Sequence, residues 1–244
     1  MTTLHILRNP SLTTRIQHTL LTDKTVDPAT LSVNLPTLLN HKPLLSSVYA
    51  ETLRLHLQAY VTRASPHRDV HLAGWTLPRN KVCMVNTHAS HMDEAFWNTR
   101  GGQHPVKEFW AERFLIWPGD AGSGPVREEV VDYKRPTTGV VDTVGSEGWA
   151  GEMGREEKGE PFFSVQGLEG AWIPYGGGYA ACPGRQFAKR VVLYTTALLV
   201  GAFEVEVLTP GLVMDDECFG LGTQKPKHEV KFRIRRRRGG VPVV

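Results

Sequence analysis

The sequence lacks a cysteine framework. Its three cysteines, Cys83, Cys182 and Cys218, lie far apart and form no C-x-x-C pair. That excludes a zinc ribbon, a thioredoxin-type site and a disulfide scaffold, and it points to a reducing compartment. Long apolar runs are missing too. The start, MTTLHILRNPSL, has no apolar core of the kind a signal peptide needs. The most apolar stretch, residues 191–203, carries Tyr194, Thr195 and Thr196 and is too short to span a bilayer. The chain therefore reads as soluble, with no membrane anchor. Charge of one sign is absent as well. Its 28 basic and 25 acidic residues leave a net +3, so bulk charge selects no partner. No internal repeat is present, and the helices and strands follow no βαβ rhythm.

What is there is an ordinary globular composition. The 244 residues are 41% hydrophobic and 22% charged, enough to bury a substantial core. Residues 9–21 read as a helix with Pro10 in its first turn, and residues 44–59 as a second helix. In the second, Leu45, Val48, Thr52 and Leu55 fall on one side. Residues 69–85 alternate around Gly74 and read as a hairpin or meander. Residues 94–98 read as a short helical turn, and 109–116 as an aromatic cluster. Residues 119–170, rich in Gly, Pro and charge, read as a long loop or insert. Residues 184–201 make the best helix, with Pro183 at its first turn. The tail, 203–238, reads as short strands. Its RIRRRR run (233–238) is best taken as a solvated edge strand whose charges prevent aggregation. A basic-tailed binding module is the rival reading. No aromatic residues interleave with the arginines, so nucleic acid is not expected as a partner. The mixture is α+β.

The stretch from Trp172 to Lys189, WIPYGGGYAACPGRQFAK, places Cys182 between three glycines and a helix start. Three explanations are open on these residues alone. An inert core cysteine is the default for any one cysteine. A nucleophile would gain from the helix N-terminus but wants a partner base, and no histidine is near in sequence. A metal-bound thiolate would profit from glycines that clear space for a flat macrocycle. The glycines do not make a phosphate loop, because neither G-K-[ST] nor a G-x-G-x-x-G frame is present.

The same stretch resembles the cysteine-ligand loop of the cytochrome P-450 family, the haem-thiolate monooxygenases, in its fungal microsomal-type members. Tyr175, Gly178, Cys182 and Gly184 stand at the four signature positions. The basic residue usual two places before the cysteine is Ala180. Further signatures follow family order. Glu51-Thr-Leu-Arg54 resembles the E-x-x-R of the K helix, whose spacing lets the two side chains pair. Glu112-Arg113-Phe114 resembles the meander segment, which implies a Glu51, Arg54 and Arg113 triad. Arg63 stands where the family often sets a propionate-binding arginine. His91-Met-Asp93 resembles a structural H-x-D/N.

The resemblance implies the C-terminal half of the P-450 fold, mainly helical α+β, with J, K and L helices, small sheets and the cysteine loop. Residues 1–244 would form a single partial domain with the 119–170 insert. It implies haem b (iron protoporphyrin) on Cys182, a small lipophilic or sterol-like substrate, and NADPH-cytochrome reductase as partner. Arg185, Lys189 and Arg190 would offer that partner a basic surface. Residues 58–62 and 219–222 sit where the family places substrate-contacting loops. The intact enzyme is expected at the endoplasmic reticulum membrane, with this portion on the cytoplasmic side. The I helix with its acid–alcohol pair has no counterpart. The expectation is thus a monooxygenase truncated at its N-terminus, the alternative a catalytically inactive fragment or pseudogene product.

Overall fold

A computed structural model describes residues 1–130, 132–134, 159–217 and 219–237. Two helices open the chain, α1 (Thr2–Leu7) and α2 (Pro10–Thr22). Arg8 ends the first and Asn9 caps the second: the Asn9 side chain accepts the Leu12 N–H while Pro10 takes the first turn. A small ribbon, β1 (Val26–Asp27) with β2 (Ser32–Val33), leads to α3 (Leu35–Asn40) and α4 (Pro43–His56). The expected second helix therefore stops three residues early. Leu57 to Arg63 instead form β3, because β6 (Cys83–Asn86) pairs antiparallel along their second half. Long-range strand pairing overrides the helical spacing of the sequence.

The expected hairpin is β4 (Val70–Leu72) and β5 (Trp75–Leu77), turning on Ala73 and Gly74 at φ 49° and 82°. Then follow α5 (Thr87–His91), β7 (Leu115–Ile116), β8 (Phe162–Phe163), α6 (Arg185–Ala202), β9 (Phe203–Val207), β10 (Leu221–Thr223) and β11 (Phe232–Arg236). Residues 94–96 form the expected short turn, with the Phe96 and Trp97 N–H groups both donating to the Asp93 carbonyl. Pro183 stands one place before the α6 N-cap, Gly184, and so lies outside the helix. The architecture is α+β. "Mainly helical" fits it loosely, since the described residues between β3 and α6 hold one α-helix of five residues.

Two apolar cores meet at α4. One gathers Ile6, Leu12, Ile16, Leu20, Leu38, Val48, Leu193 and Val200 from the helical layer. The other gathers Trp97, Val106, Phe114, Phe163, Leu168 and Trp172 from the loop-rich layer. Leu45, Val48, Thr52 and Leu55 are buried as expected, but so are Ser46, Ser47, Tyr49, Glu51 and Arg54 around the rest of the helix. Segment 119–170 is not simply a surface loop. Val126, Phe163, Val165 and Leu168 are core residues, and β8 pairs with β7. Its middle, 135–158, lies outside the described residues, as do Cys218 and Arg238.

Arg233 to Arg236 run along β11, exposed and paired with β9. Arg235 Nε donates to Glu204 at 2.9 Å and Arg233 pairs with Glu206 at 3.3 Å. Acidic residues on the neighbouring strand thus neutralise the basic run, which favours the edge-strand reading over a nucleic-acid surface.

Candidate functional site

The frame of the site is a buried ion cluster on α4. Glu51, Arg54 and Arg113 are all 0% exposed. Arg54 meets the carboxylate twice, Nε to Oε2 at 2.7 Å and Nη2 to Oε1 at 2.9 Å, while Arg113 Nε reaches Oε1 at 3.0 Å. The Trp110 N–H donates to the same oxygen at 3.2 Å. One carboxylate facing two guanidiniums leaves many donors to satisfy, and backbone carbonyls take them. Arg54 reaches the carbonyls of His91 and Val106 at 2.7 Å, and Arg113 those of Asn98, Pro105 and Glu108. Burial pulls the Arg113 pKa below its ordinary value, and Glu51 opposes that pull. The cluster therefore ties α4 to the loops of 91–113.

From this frame hangs the cysteine loop. Its entry is pinned twice: the Trp172 indole donates to the Ala50 carbonyl at 3.3 Å, and the Ile173 N–H donates to His91 Nε2 at 3.1 Å. An accepting Nε2 requires a neutral imidazole. Burial and the nearby Arg54 charge hold the His91 pKa down at about 3. His91 is thus a structural anchor, in keeping with the H-x-D reading.

The loop closes on itself where the Cys182 N–H donates to the Tyr175 carbonyl at 2.9 Å. Gly176 and Gly178 turn it at φ 71° and 60°, a backbone that disfavours side chains. Gly184 needs no such freedom; its φ of −80° suits any residue, and an added Cβ would sit 3.9 Å from Cys182 Sγ. Tyr175 hydrogen-bonds through its hydroxyl to Tyr49 of α4, and burial raises its pKa. No spacing rule links these two tyrosines, 126 positions apart.

Cys182 is exposed, and it opens onto a cavity of about 830 Å³. Ala188, Val191 and Val192 of α6 form one wall of it, and Leu57, Val61 and Arg63 of β3 another. The α6 wall was readable in the sequence, since these positions repeat at helical spacing. Arg63 stands exposed, with Nη2 on the Gly177 carbonyl at 3.0 Å and Nη1 on the Thr62 carbonyl at 2.8 Å. Three guanidinium N–H groups remain for an acidic ligand. Ala180 lines the cavity and offers no charge.

The two expected substrate loops converge. β10 pairs with β3 so that Leu221 faces Ala59, and Phe219 packs edge-on to Tyr60 at 6.2 Å between centroids. Gly220 is obligatory at this crossing, because a Cβ would lie 2.4 Å from the Tyr60 ring. The expected basic surface is only partly present. Lys189 is buried on the inner face of α6 with Leu193, Thr196 and Val200. Spacings of four, three and four put Lys189 on that apolar face, a signal the charge reading passed over. Arg185 and Arg190 alone stay partly exposed.

A thiol facing an apolar cavity, small residues beneath it and one guanidinium beside it fit a flat, carboxylate-bearing macrocycle with an axial thiolate. The family model described as Cytochrome P450 matches residues 2–115. A cytochrome P450 monooxygenase, efuG, of Hormonema carpetanum is 38% identical over 202 residues, covering 82% of this chain and 32% of that protein. Another, fsoE of Humicola fuscoatra, is 36% identical over 244 residues, covering 96% of this chain and 38% of its own length. A solved structure of retinoic acid-bound cyanobacterial CYP120A1 superposes with a TM-score of 0.55 at 18% identity. That match covers 96% of this chain and 41% of the other. The chain belongs to the cytochrome P450 family, a family of haem proteins. It spans 32% and 38% of the length of these two curated relatives. No helix among the described residues is long and apolar enough to cross a membrane.

Proposed function

We propose that Cys182 would hold haem b through its thiolate, and that the chain forms the thiolate side of a monooxygenase site. The observation that carries this is the exposed Cys182 thiol at the wall of the 830 Å³ cavity, with Arg63 beside it. When bound, haem supplies dioxygen activation for oxygen insertion into an organic substrate. The chain's own residues hold and orient. The Cys182 N–H to Tyr175 bond fixes the sulfur's backbone, and the Trp172 and His91 tethers fix the loop against α4 and α5. Arg63 neutralises one propionate, while Ala180 leaves the usual second cation unsupplied. Leu57, Tyr60 and Val61 of β3 supply an apolar wall, which favours a small lipophilic, sterol-like substrate. Arg185 and Arg190 give the electron donor, an NADPH-cytochrome reductase, a reduced basic patch.

The test is the spectrum of the chain supplied with haem, reduced and exposed to carbon monoxide. A strongly red-shifted Soret band, absent in Cys182→Ala, is the expected result. An unshifted band identical in both proteins overturns the assignment. Replacing Arg63 with Ala should speed haem loss to a scavenger without moving the band.

A further inference from the structure

Ser65 lies in the loop that leaves β3, in the sequence Arg63-Ala-Ser-Pro-His-Arg68. Ser-Pro occurs once in the chain and Thr-Pro once, at Thr209. Only the first has a cation two places beyond its proline, Arg68; the second has Leu212 there. Residues 64–69 form no helix or strand, and residues 62–76 are all exposed except Ser65, which is half-buried. Its hydroxyl donates to the Arg68 carbonyl and accepts the Arg68 N–H at 3.4 Å, which closes a turn. Proline fixes its own φ and favours an extended backbone at the residue before it. A serine so placed, in an exposed irregular loop, suits the extended binding groove of a protein kinase.

Four cations gather around this hydroxyl. Arg63 stands two places before it and Arg68 three places after. Across the loop, the Asn80 N–H donates to the Ser65 carbonyl at 2.8 Å, which brings Arg79 and Lys81 alongside. The pairing of Arg63 with Cys83, continued for two residues, likewise sets Lys81 opposite Ser65.

All four are exposed, and none has an ion pair among the described residues. Asp69 is the one carboxylate between Arg63 and Lys81, and it accepts the Arg79 backbone N–H at 2.7 Å. Like charges so arranged repel one another, and a phosphate dianion set among them gains from each.

We propose that Ser65 is the phospho-acceptor of a proline-directed serine kinase, and that Arg63, Arg68, Arg79 and Lys81 cradle the phosphate. In the transfer, Ser65 Oγ bonds to the γ-phosphorus of ATP as the bond from that phosphorus to the ADP oxygen breaks. The seryl proton passes to the kinase's carboxylate base. The ester oxygen no longer donates to the Arg68 carbonyl, so the 65–68 turn opens and the phosphate swings among the cations. One consequence rests on the reading of Arg63 as a propionate partner. The phosphate draws Arg63 from the Gly177 carbonyl and from the carboxylate it would otherwise neutralise.

The full chain is incubated with magnesium-ATP and a proline-directed serine kinase, and fragment mass spectrometry locates the phosphate. A single phosphate on Ser65 is expected, with none on Thr209 and none in Ser65→Ala. Pro66→Ala and Arg68→Gln should each slow incorporation about tenfold. No phosphate on Ser65, or unchanged rates in both variants, overturns the acceptor. Phosphorus NMR then reads the cradle: the second phosphate proton should leave well below the ordinary phosphoserine value of about 6. Arg79→Gln and Lys81→Gln should each raise that value. A titration at about 6 that neither variant moves overturns the cradle. Phosphorylation should also speed haem loss to a scavenger about threefold in the parent chain, and not in Arg63→Ala. Equal haem loss with and without phosphate overturns the Arg63 consequence alone. A chain that takes up no haem overturns the haem reading and that consequence with it, while the phosphate results stand.

Discussion

The Glu51 cluster and the cysteine loop, both anchored to α4, solve opposite problems. The cluster is three charges with no exposure, held by a bidentate pair, a second guanidinium and backbone carbonyls from between residues 91 and 108. The loop is neutral, glycine-rich and open, and its cysteine is exposed. Buried charge is expensive unless every partner is present, so the cluster permits only one arrangement of the surrounding chain. The loop draws its shape from that arrangement through Trp172, Ile173 and Tyr175. An exposed thiol is thus displayed on an open segment by a frame that is wholly buried.

The sharpest way to break this comparison is to remove the carboxylate. Glu51→Gln leaves two buried guanidiniums without a counter-charge and should cost about 3–5 kcal/mol, read from the urea midpoint. Cys182→Ala should shift the same midpoint by about 0.5 kcal/mol or less, because the thiol is exposed. Equal losses would mean that frame and loop are not separable.

The next effect in size is a pH effect on the joint between them. Folded His91 stays neutral down to about pH 3, whereas its ordinary pKa is 6.5. Its contribution is therefore complete above about pH 6.5 and is lost as pH falls from there toward 3. That amounts to roughly 2 kcal/mol by about pH 5. His5, half-buried against His56 and likewise held at about 3, adds a loss of the same sign. His91→Asn should be less stable at neutral pH yet show a flatter acid limb in unfolding experiments.

Much of the frame was legible because local rules produce it. Asn9-Pro10 announces a cap, the E-x-x-R spacing announces a pair, and Gly74 announces a turn. What stayed hidden depends on distant partners. The spacing of Glu51 and Arg54 announces their pairing but not their complete burial, which carbonyls 37 and 52 positions away make tolerable. The end of α4 was misjudged for the same reason, since β6 and β10 claim residues 57–63 for a sheet. In the site, the sulfur's position followed from its motif. The Tyr49–Tyr175 contact and the meeting of β3 with β10 did not, because no short-range pattern encodes them.

That tyrosine pair sharpens the comparison at a finer scale. Tyr175→Phe keeps the ring and removes the hydroxyl bonded to Tyr49, so a loss of about 1 kcal/mol is expected. Hydrogen exchange at the Cys182 amide should quicken at the same time, since its acceptor is the Tyr175 carbonyl. An unchanged exchange rate would show that the glycine turns and the Trp172 tether suffice to hold the loop.

The smallest effect belongs to the basic strand, where charge is abundant but water screens it. Arg235 is 78% exposed opposite Glu204. An exposed cross-strand pair gains little Coulomb energy and gives up side-chain freedom to form. Arg235→Ala should therefore leave the urea midpoint unchanged within error, at low and high salt alike. A clear loss at low salt that vanishes at high salt would make β11 part of the frame. Burial, not charge count, is what separates this arginine from Arg54.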